Sequence, residues 1–426
     1  MRLIGISSDR VSIFDIDNDG AEELVYTKLS NIIVEDLATG KIKRKIKIRP
    51  KAEKQKEEYE LRRYRNISTE TTIDFRDISS FAGDVILRLA ISDVDSDSKP
   101  ELVVLRVDGV IACYNLRGSE KWSMFLDPYI SDIAVENSGD IRVVAISQYG
   151  YLYTVTADAK FFKKSLENLQ GTPLCVESLS PSEDIYAILM REGILYVTKL
   201  EVMREKLKRT VRLSKVTTIN LPKHAEPSSM HALDLNGDGI REIVVGFSDG
   251  SILIVDWKTG ESCAKASLSD KISRIFSLPM VEKPIAIVLD WFGNLALIQS
   301  IDYIEVIEAS PRRILIDIDG DSIEEEISIF TKNLRIKKAG KLINEIKGTS
   351  YISSYFVDDI NNDGKSEIIV AWNSRTIAIY SNSGRILDSA KTSAIPRSVL
   401  VRDIDGDNKK EIIVCSNDAV EVFRIA

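Results

Sequence analysis

Apolar and polar residues along this chain alternate in short runs, and no helical period is sustained over any long stretch. Residues 351–390 show the unit. "YISSYFVDD" alternates, an acidic turn follows, "SEIIVAW" is strongly apolar, "RTIAIYS" alternates again, and "NSG" turns the chain into a more polar "RILDSA". A period of two over four to eight residues, bounded by turn residues, predicts strands. Each unit should hold four. The third strand ends in a similar glycine turn in "SILIVDWKTG" at 251–260, "VIACYNLRG" at 110–118 and "NIIVEDLATG" at 31–40. Glycine accepts the positive φ that reverses a chain within very few residues.

The acidic turn returns six times, as "DIDNDGAEELVY" from Asp15, "DVDSDSKPELVV" from Asp93, "DLNGDGIREIVV" from Asp234, "DIDGDSIEEEIS" from Asp317, "DINNDGKSEIIV" from Asp359 and "DIDGDNKKEIIV" from Asp403. The last two intervals are 42 and 44 residues, and degenerate copies fill the wider gaps: "DIAVENSGDIRVVAIS" near Glu136, "CVESLSPSEDIYAILM" near Ser178 and "RIFSLPMVEKPIAIVLD" near residue 277. Nine quasi-repeats result. Four strands in a period of roughly 40–45 residues predict an all-β fold, a single closed β-propeller of four-stranded antiparallel blades over 1–426. The count is eight or nine blades rather than seven. The last unit, "SVLVRDIDGDNKKEIIVCSNDAVEVFRIA", holds only three strands, whereas "RLIGIS" at 2–7 precedes the first full unit. The N-terminal strand is therefore expected to complete the last blade. A β-solenoid lacks this four-strand meander, and a two-domain α/β enzyme would need long amphipathic helices between the strands.

Composition narrows the class. Hydrophobic residues at 44%, charged residues at 29% and 11 prolines in 426 residues describe an ordered chain, neither a disordered tail nor a fibre. Cys113, Cys175, Cys263 and Cys415 lie far apart inside apolar runs with no CxxC spacing, so they read as reduced core residues. No basic region followed by an apolar segment and cleavage site opens the sequence, and no long apolar run marks a membrane span. A cytoplasmic protein is the expectation. A net charge of -8 argues against a generally cationic nucleic-acid binder.

Positions 1, 3, 5 and 9 of the acidic turn are where an ion would be held. Alternate residues of a tight turn project oxygens toward one centre, and calcium takes six to eight such hard ligands. The sets are Asp15, Asp17, Asp19 and Glu23; Asp93, Asp95, Asp97 and Glu101; Asp234, Asn236, Asp238 and Glu242; Asp317, Asp319, Asp321 and Glu325; Asp359, Asn361, Asp363 and Glu367; Asp403, Asp405, Asp407 and Glu411. Calcium is the expected ion, with magnesium second. Position 6 is Gly20, Gly239 and Gly364 in three copies but Ser98, Ser322 and Asn408 in the others. The competing reading needs no metal, because short acidic side chains also cap their own backbone N–H groups. A catalytic carboxylate pair is disfavoured, since one chemistry would not be needed six times around a fold. No catalytic residue is assigned.

"DLNGDGIREIVVGFSDGSILIVDWKTG" at 234–260 and "DINNDGKSEIIVAWNSRTIAIYSNSG" from 359 resemble the FG-GAP or VCBS repeats of integrin α-subunit-type β-propellers. The resemblance covers nearly the whole chain. It implies calcium ligation through the six sets above, although position 9 is glutamate throughout here where the integrin type frequently has aspartate. It also implies kinship with intracellular propellers of ciliary-coat and nutrient-signalling scaffold complexes, an analogy at the level of fold.

Two basic stretches interrupt the repeat. "KIKRKIKIRP" at 41–50 places Ile42, Ile46 and Ile48 on one parity and Lys41, Lys43, Lys45, Lys47 and Arg49 on the other, a strand with one dry and one wet face. A charged insertion at about 50–80 follows, with Arg62, Arg63 and Arg65, and residues 41–65 carry 12 Lys or Arg against 4 Glu. A smaller basic insertion at about 199–220 brings Arg204, Lys208 and Arg209. Both suit a protein partner ahead of an anionic membrane surface or nucleic acid, because interleaved exposed aromatics are few. Trp122, Trp257, Trp291 and Trp372 read as packing between units. The function expected is a non-catalytic interaction scaffold or subunit of a cytoplasmic complex. The alternatives are a lyase or hydrolase acting on an anionic polymer at a central channel, and a divalent-cation-binding regulatory module.

Overall fold

The computed structural model describes residues 1–8, 11–14, 19, 21–28, 31–37, 39, 41–48, 86–127, 129–205, 208–278, 284–307, 313–404, 407–417 and 419–425. The charged insertion at about 50–80 lies outside them. Within the described residues the chain forms nine antiparallel sheets of four strands, an all-β and propeller-like arrangement. The first holds Val11–Phe14, Glu23–Lys28, Asn31–Asp36 and Ile42–Lys47. The second to eighth are meanders within 86–125, 130–165, 173–220, 227–267, 272–307, 313–347 and 352–391. The ninth takes three strands from 398–424 and its fourth from Arg2–Ser8, which pairs antiparallel with Ala419–Arg424. All three degenerate repeats fold as sheets.

Apolar burial between sheets forms the core. The second strands Glu101–Arg106, Ile141–Ser147, Ile185–Met190, Glu242–Phe247, Ile285–Asp290, Glu367–Trp372 and Glu411–Cys415 are buried at every residue. Each such strand needs a neighbouring sheet on both faces, since fully burying one Ile or Val is worth about 1.5–3 kcal/mol. Core clusters join the first sheet to the second and so on in order up to the sixth.

After the sixth sheet the stacking order leaves the sequence order. Phe276, Leu289 and Leu297 of the sixth pack on Leu400, Ile413 and Val422 of the ninth. The opposite face of the ninth, with Val399, Val401 and Phe423, packs on the eighth, and the eighth packs on the seventh. Among the described residues no core cluster joins the sixth sheet to the seventh, and Arg2–Ser8 of the ninth sheet runs beside Val11–Phe14 of the first. Side-chain chemistry accounts for the break at the seventh sheet. Glu23–Lys28 and Glu325–Phe330, the second strands of the first and seventh sheets, are the ones without continuous burial. On the seventh sheet, Ile327, Leu334 and Ile336 face the eighth, while Glu326, Arg335, Lys337 and Glu345 make ion pairs on the other side. A sheet with one polar face ends a stack, and a sheet with two apolar faces sits inside one.

Two expectations for single residues change. Ile42 is 61% exposed while Ile46 and Ile48 are buried, because a bulge opposite Val34 and Glu35 shifts the register and breaks the parity of "KIKRKIKI". Trp291 is 58% exposed beside Phe292 on a tight turn, whereas Trp257 and Trp372 are packed between sheets and Trp122 meets Phe161 edge-on at 5.3 Å. The basic stretch at 199–220 is the prolonged third and fourth strands of the fourth sheet, Ile194–Glu205 and Lys208–Asn220. All four cysteines are free thiols.

Close approach of backbone to ring gives the first test. Gly348 runs so near Trp372 that an added Cβ would lie 2.0 Å from the indole. Gly348→Ala should therefore destabilise the fold by about 1–3 kcal/mol, read as a lower urea midpoint. A second test is pH. Glu421, 2% exposed in the ninth sheet, accepts the Ser393 N–H at 3.0 and 3.1 Å, but burial pushes its carboxyl up to about 7 from an ordinary 4.5. A raised folded-state pKa means that its contribution to stability is full below 4.5 and is lost as pH rises through about 7. Glu421→Gln should flatten the dependence of Tm on pH across that window.

Candidate metal centre

Every acidic turn links the first and second strands of its sheet, and its position-9 glutamate is the first residue of the second strand. Glu23, Glu101, Glu242, Glu325, Glu367 and Glu411 are all buried. A buried carboxylate needs donors. In five turns Oε2 accepts the backbone N–H of position 2, from Val94 at 3.0 Å, Leu235 at 2.9 Å, Ile318 at 3.0 Å, Ile360 at 3.2 Å and Ile404 at 3.2 Å. The position-1 aspartate accepts the N–H of position 6, at 2.9 Å from Ser98, 2.8 Å from Gly239, 2.7 Å from Ser322, 2.8 Å from Gly364 and 2.9 Å from Asn408. The position-5 aspartate caps position 7, as Asp97 does with Lys99 at 2.9 Å and Asp363 with Lys365 at 2.9 Å. Positions 1, 5 and 9 thus hold the turn by bonding its own backbone.

This wiring explains how serine is tolerated at position 6. Ser98 and Ser322 stand at φ 64 and 68, beside 82 and 84 for Gly239 and Gly364. The left-handed region costs a side-chain-bearing residue roughly 1–2 kcal/mol, which the aspartate bonds on either side offset.

Position 3 divides the turns. Where it is aspartate, a basic side chain enters the carboxylates. Lys121 Nζ lies 2.6 Å from Asp95, 2.5 Å from Glu101 and 3.6 Å from Asp97. Lys338 Nζ lies 2.7 Å from Asp319, 2.6 Å from Asp321 and 2.7 Å from Glu325. In the first turn Lys43 meets Asp19 at 3.1 Å and Glu23 at 2.5 Å, and in the last Arg424 meets Glu411 at 3.1 Å and Asp407 at 3.7 Å. Hydrogen bonds donated to Asp319, Asp321 and Glu325 hold the Lys338 ammonium well above the usual lysine range. Burial pulls Lys121 down, yet its bonds to Asp95 and Glu101 outweigh that and raise it too.

Where position 3 is asparagine, no such partner enters. Asn236 donates its amide to Glu242 at 3.0 Å and Asn361 donates to Glu367 at 3.2 Å. Among the described residues no Lys or Arg side chain pairs with a carboxylate of Asp234, Asp238, Glu242, Asp359, Asp363 or Glu367. Burial raises the Glu242 and Glu367 carboxyls, and the neighbouring aspartates add to the rise.

Asp93, Asp95 and Glu101 bring oxygens within 4.8 Å of one another, as do Asp317, Asp319 and Glu325. Each cluster is compact enough to coordinate one divalent cation. They are also turns in which lysine is already present, and a shared ammonium draws carboxylates together as an ion would.

Of the remaining candidates, Asp15, Asp17, Asp405, Arg49, Arg62, Arg63 and Arg65 lie outside the described residues, as do the side chains of Arg204 and Lys208. Lys41, Lys45 and Lys47 are exposed on the first sheet. Lys43, expected on the same wet face, is turned into its acidic loop, and Arg209 pairs with Asp158. Sequence reading missed Lys121, Lys338 and Arg424. Their signal is spacing: Lys43 and Lys121 follow the position-9 glutamate by 20 residues and Arg424 follows it by 13, as Lys338 does. The corresponding positions after Glu242 and Glu367 are Val255 and Ser262, and Tyr380 and Leu387.

One other cluster resembles a catalytic set. His224 Nε2 lies 3.3 Å from Ser251 Oγ and 3.4 Å from Asp249 Oδ2, while Ser251 donates to Asp249 at 2.5 Å. Both partners meet the same ring nitrogen and the acid holds the serine directly, so no base is oriented to activate a nucleophile. His231 pairs with Glu177 at 3.0 Å. Among the described residues neither histidine belongs to a set arranged for catalysis. Among them no helix is long and apolar enough to cross a membrane.

Residues 359–414, which span the last two acidic turns, match the FG-GAP-like repeat family. Among solved structures, the computationally designed Ika8 protein aligns over 100% of this chain and 98% of its own at 11% identity and a TM-score of 0.47. BBS1N in complex with ARL6DN aligns over 100% and 94% at 11% and 0.42, and BamB from Moraxella catarrhalis over 79% and 94% at 16% and 0.39. No curated protein matches the chain. The chain is a repeat-based, propeller-like protein, and its function is argued from its own residues.

Position 3 supplies the test. Asn361→Asp adds a fourth carboxylate to a turn without an internal cation and removes a donor to Glu367. In EDTA it should cost about 1 kcal/mol or more, seen as a lower Tm, and the loss should shrink as pH falls below about 4.

Proposed function

We propose that this protein is a non-catalytic interaction scaffold, a cytoplasmic subunit that presents basic surface to an acidic protein partner. The observation that carries this reading is the placement of exposed lysine and arginine on the outer strands of a rigid stack. Lys45 and Lys47 line the outer strand of the first sheet, and Lys41 immediately precedes it. Arg212 and Lys215 are exposed on a fourth strand of 13 residues that, with its 12-residue partner, outreaches the other strands. Rigid edges lose little entropy on binding, and charge on them speeds encounter with an opposite surface. Free thiols at all four cysteines support a reducing compartment. Any divalent ion in the acidic turns has a bracing role, calcium ahead of magnesium, because the turns offer flexible carboxylates rather than an octahedral cage.

Affinity capture from native lysate at low salt, read by mass spectrometry, tests the proposal. The wild-type chain should retain a defined partner that the combined Lys45→Glu, Lys47→Glu, Arg212→Glu and Lys215→Glu variant binds at least about tenfold more weakly, ~1.4 kcal/mol, with Tm unchanged. Equal retention by the charge-reversed chain would exclude these surfaces, and recovery of free chain alone would exclude the scaffold.

A further inference from the structure

We propose that in four of the six acidic turns a basic side chain of this protein stands where a divalent ion would bind, so that these turns are braced without metal. This inference is independent of the scaffold reading.

Three observations carry it. The first is position: Lys338 Nζ lies within 2.7 Å of Asp319, Asp321 and Glu325, which are positions 3, 5 and 9 of the turn, and Lys121 sits equivalently among Asp95, Asp97 and Glu101. A metal at that point would stand at about the same distance from the same oxygens, so the two cannot coexist. The second is charge. Turns with aspartate at position 3 present four carboxylates and one cation, and turns with asparagine present three carboxylates and, among the described residues, none. Counted over these groups, both classes carry the same net charge.

The third is the route. Lys43 and Lys121 arrive from the fourth strands of their sheets, Ile42–Lys47 and Glu120–Phe125. Lys338 and Arg424 arrive instead from the third strands of theirs, Asn333–Lys338 and Ala419–Arg424. No common strand register brings a cation to all four turns. What they share is the added aspartate, Asp17, Asp95, Asp319 or Asp405, so the carboxylate and its internal counter-ion form a matched set.

Calcium titration of the full chain after EDTA treatment and dialysis, by isothermal calorimetry, tests this. Wild type and the Asp319→Asn, Asp321→Asn double variant should bind the same number of calcium ions. Lys338→Met should bind one more, and its Tm, lowered in EDTA, should recover with calcium. Loss of one ion in the double variant would overturn the proposal, because the turn would then hold metal despite its lysine. A folded Lys338→Met chain that gains no ion would overturn it equally. If Lys338→Met does not fold, the comparison of wild type with the double variant decides alone.

Discussion

A carboxylate buried at the first residue of a strand obliges the preceding turn to supply it with a donor. That constraint recurs wherever the acidic turn does, and much of the repeat follows from it. Because Glu101 must accept the Val94 N–H, and Glu325 that of Ile318, the turn folds back over the strand start. The fold-back brings position 1 near the amide of position 6 and sets a left-handed residue there. The apolar residue at position 2, such as Val94 or Ile318, is carried into the core by the same bend. Turn and core are therefore one construction: a side chain placed for hydrogen bonding also delivers a hydrophobic residue between sheets.

Local order was far more legible than the order of assembly. Period-two alternation, glycine turns and the six acidic copies located nine units of four strands, including units at 130–165, 173–220 and 272–307 that lack a ligand set. Such signals live within about 40 residues and need no knowledge of neighbours. Which sheet packs on which is decided by the relative apolarity of opposite faces, and a strand such as "EEISIF" does not declare that its Glu326 side will stay wet until Arg335 and Lys337 are seen beside it. The ninth sheet, apolar on both sides, consequently lies between the sixth and the eighth.

The acidic turns were readable as a set and ambiguous in chemistry. Capping and ion binding use the same residues, so a count of carboxylates could not separate them. The deciding groups sit 13 or 20 residues downstream, inside the third or fourth strand of the same sheet and outside the acidic motif. Lys43 shows the difficulty. Its parity placed it with Lys45 and Lys47 on the wet face, yet a one-residue bulge turns it toward Glu23. A register slip of one residue exchanges faces, and nothing in "KIKRKIKI" announces where the slip falls.

Pairing between Arg2–Ser8 and Ala419–Arg424 has a consequence for biosynthesis. At about 5–20 residues per second, the earlier strand leaves the ribosome tens of seconds before its mate exists. Through that interval its hydrogen-bonding edge is bare, a template for foreign strands. The nascent chain, rather than the finished protein, is thus the species most exposed to intermolecular strand exchange, and the one on which a chaperone would have the most to do.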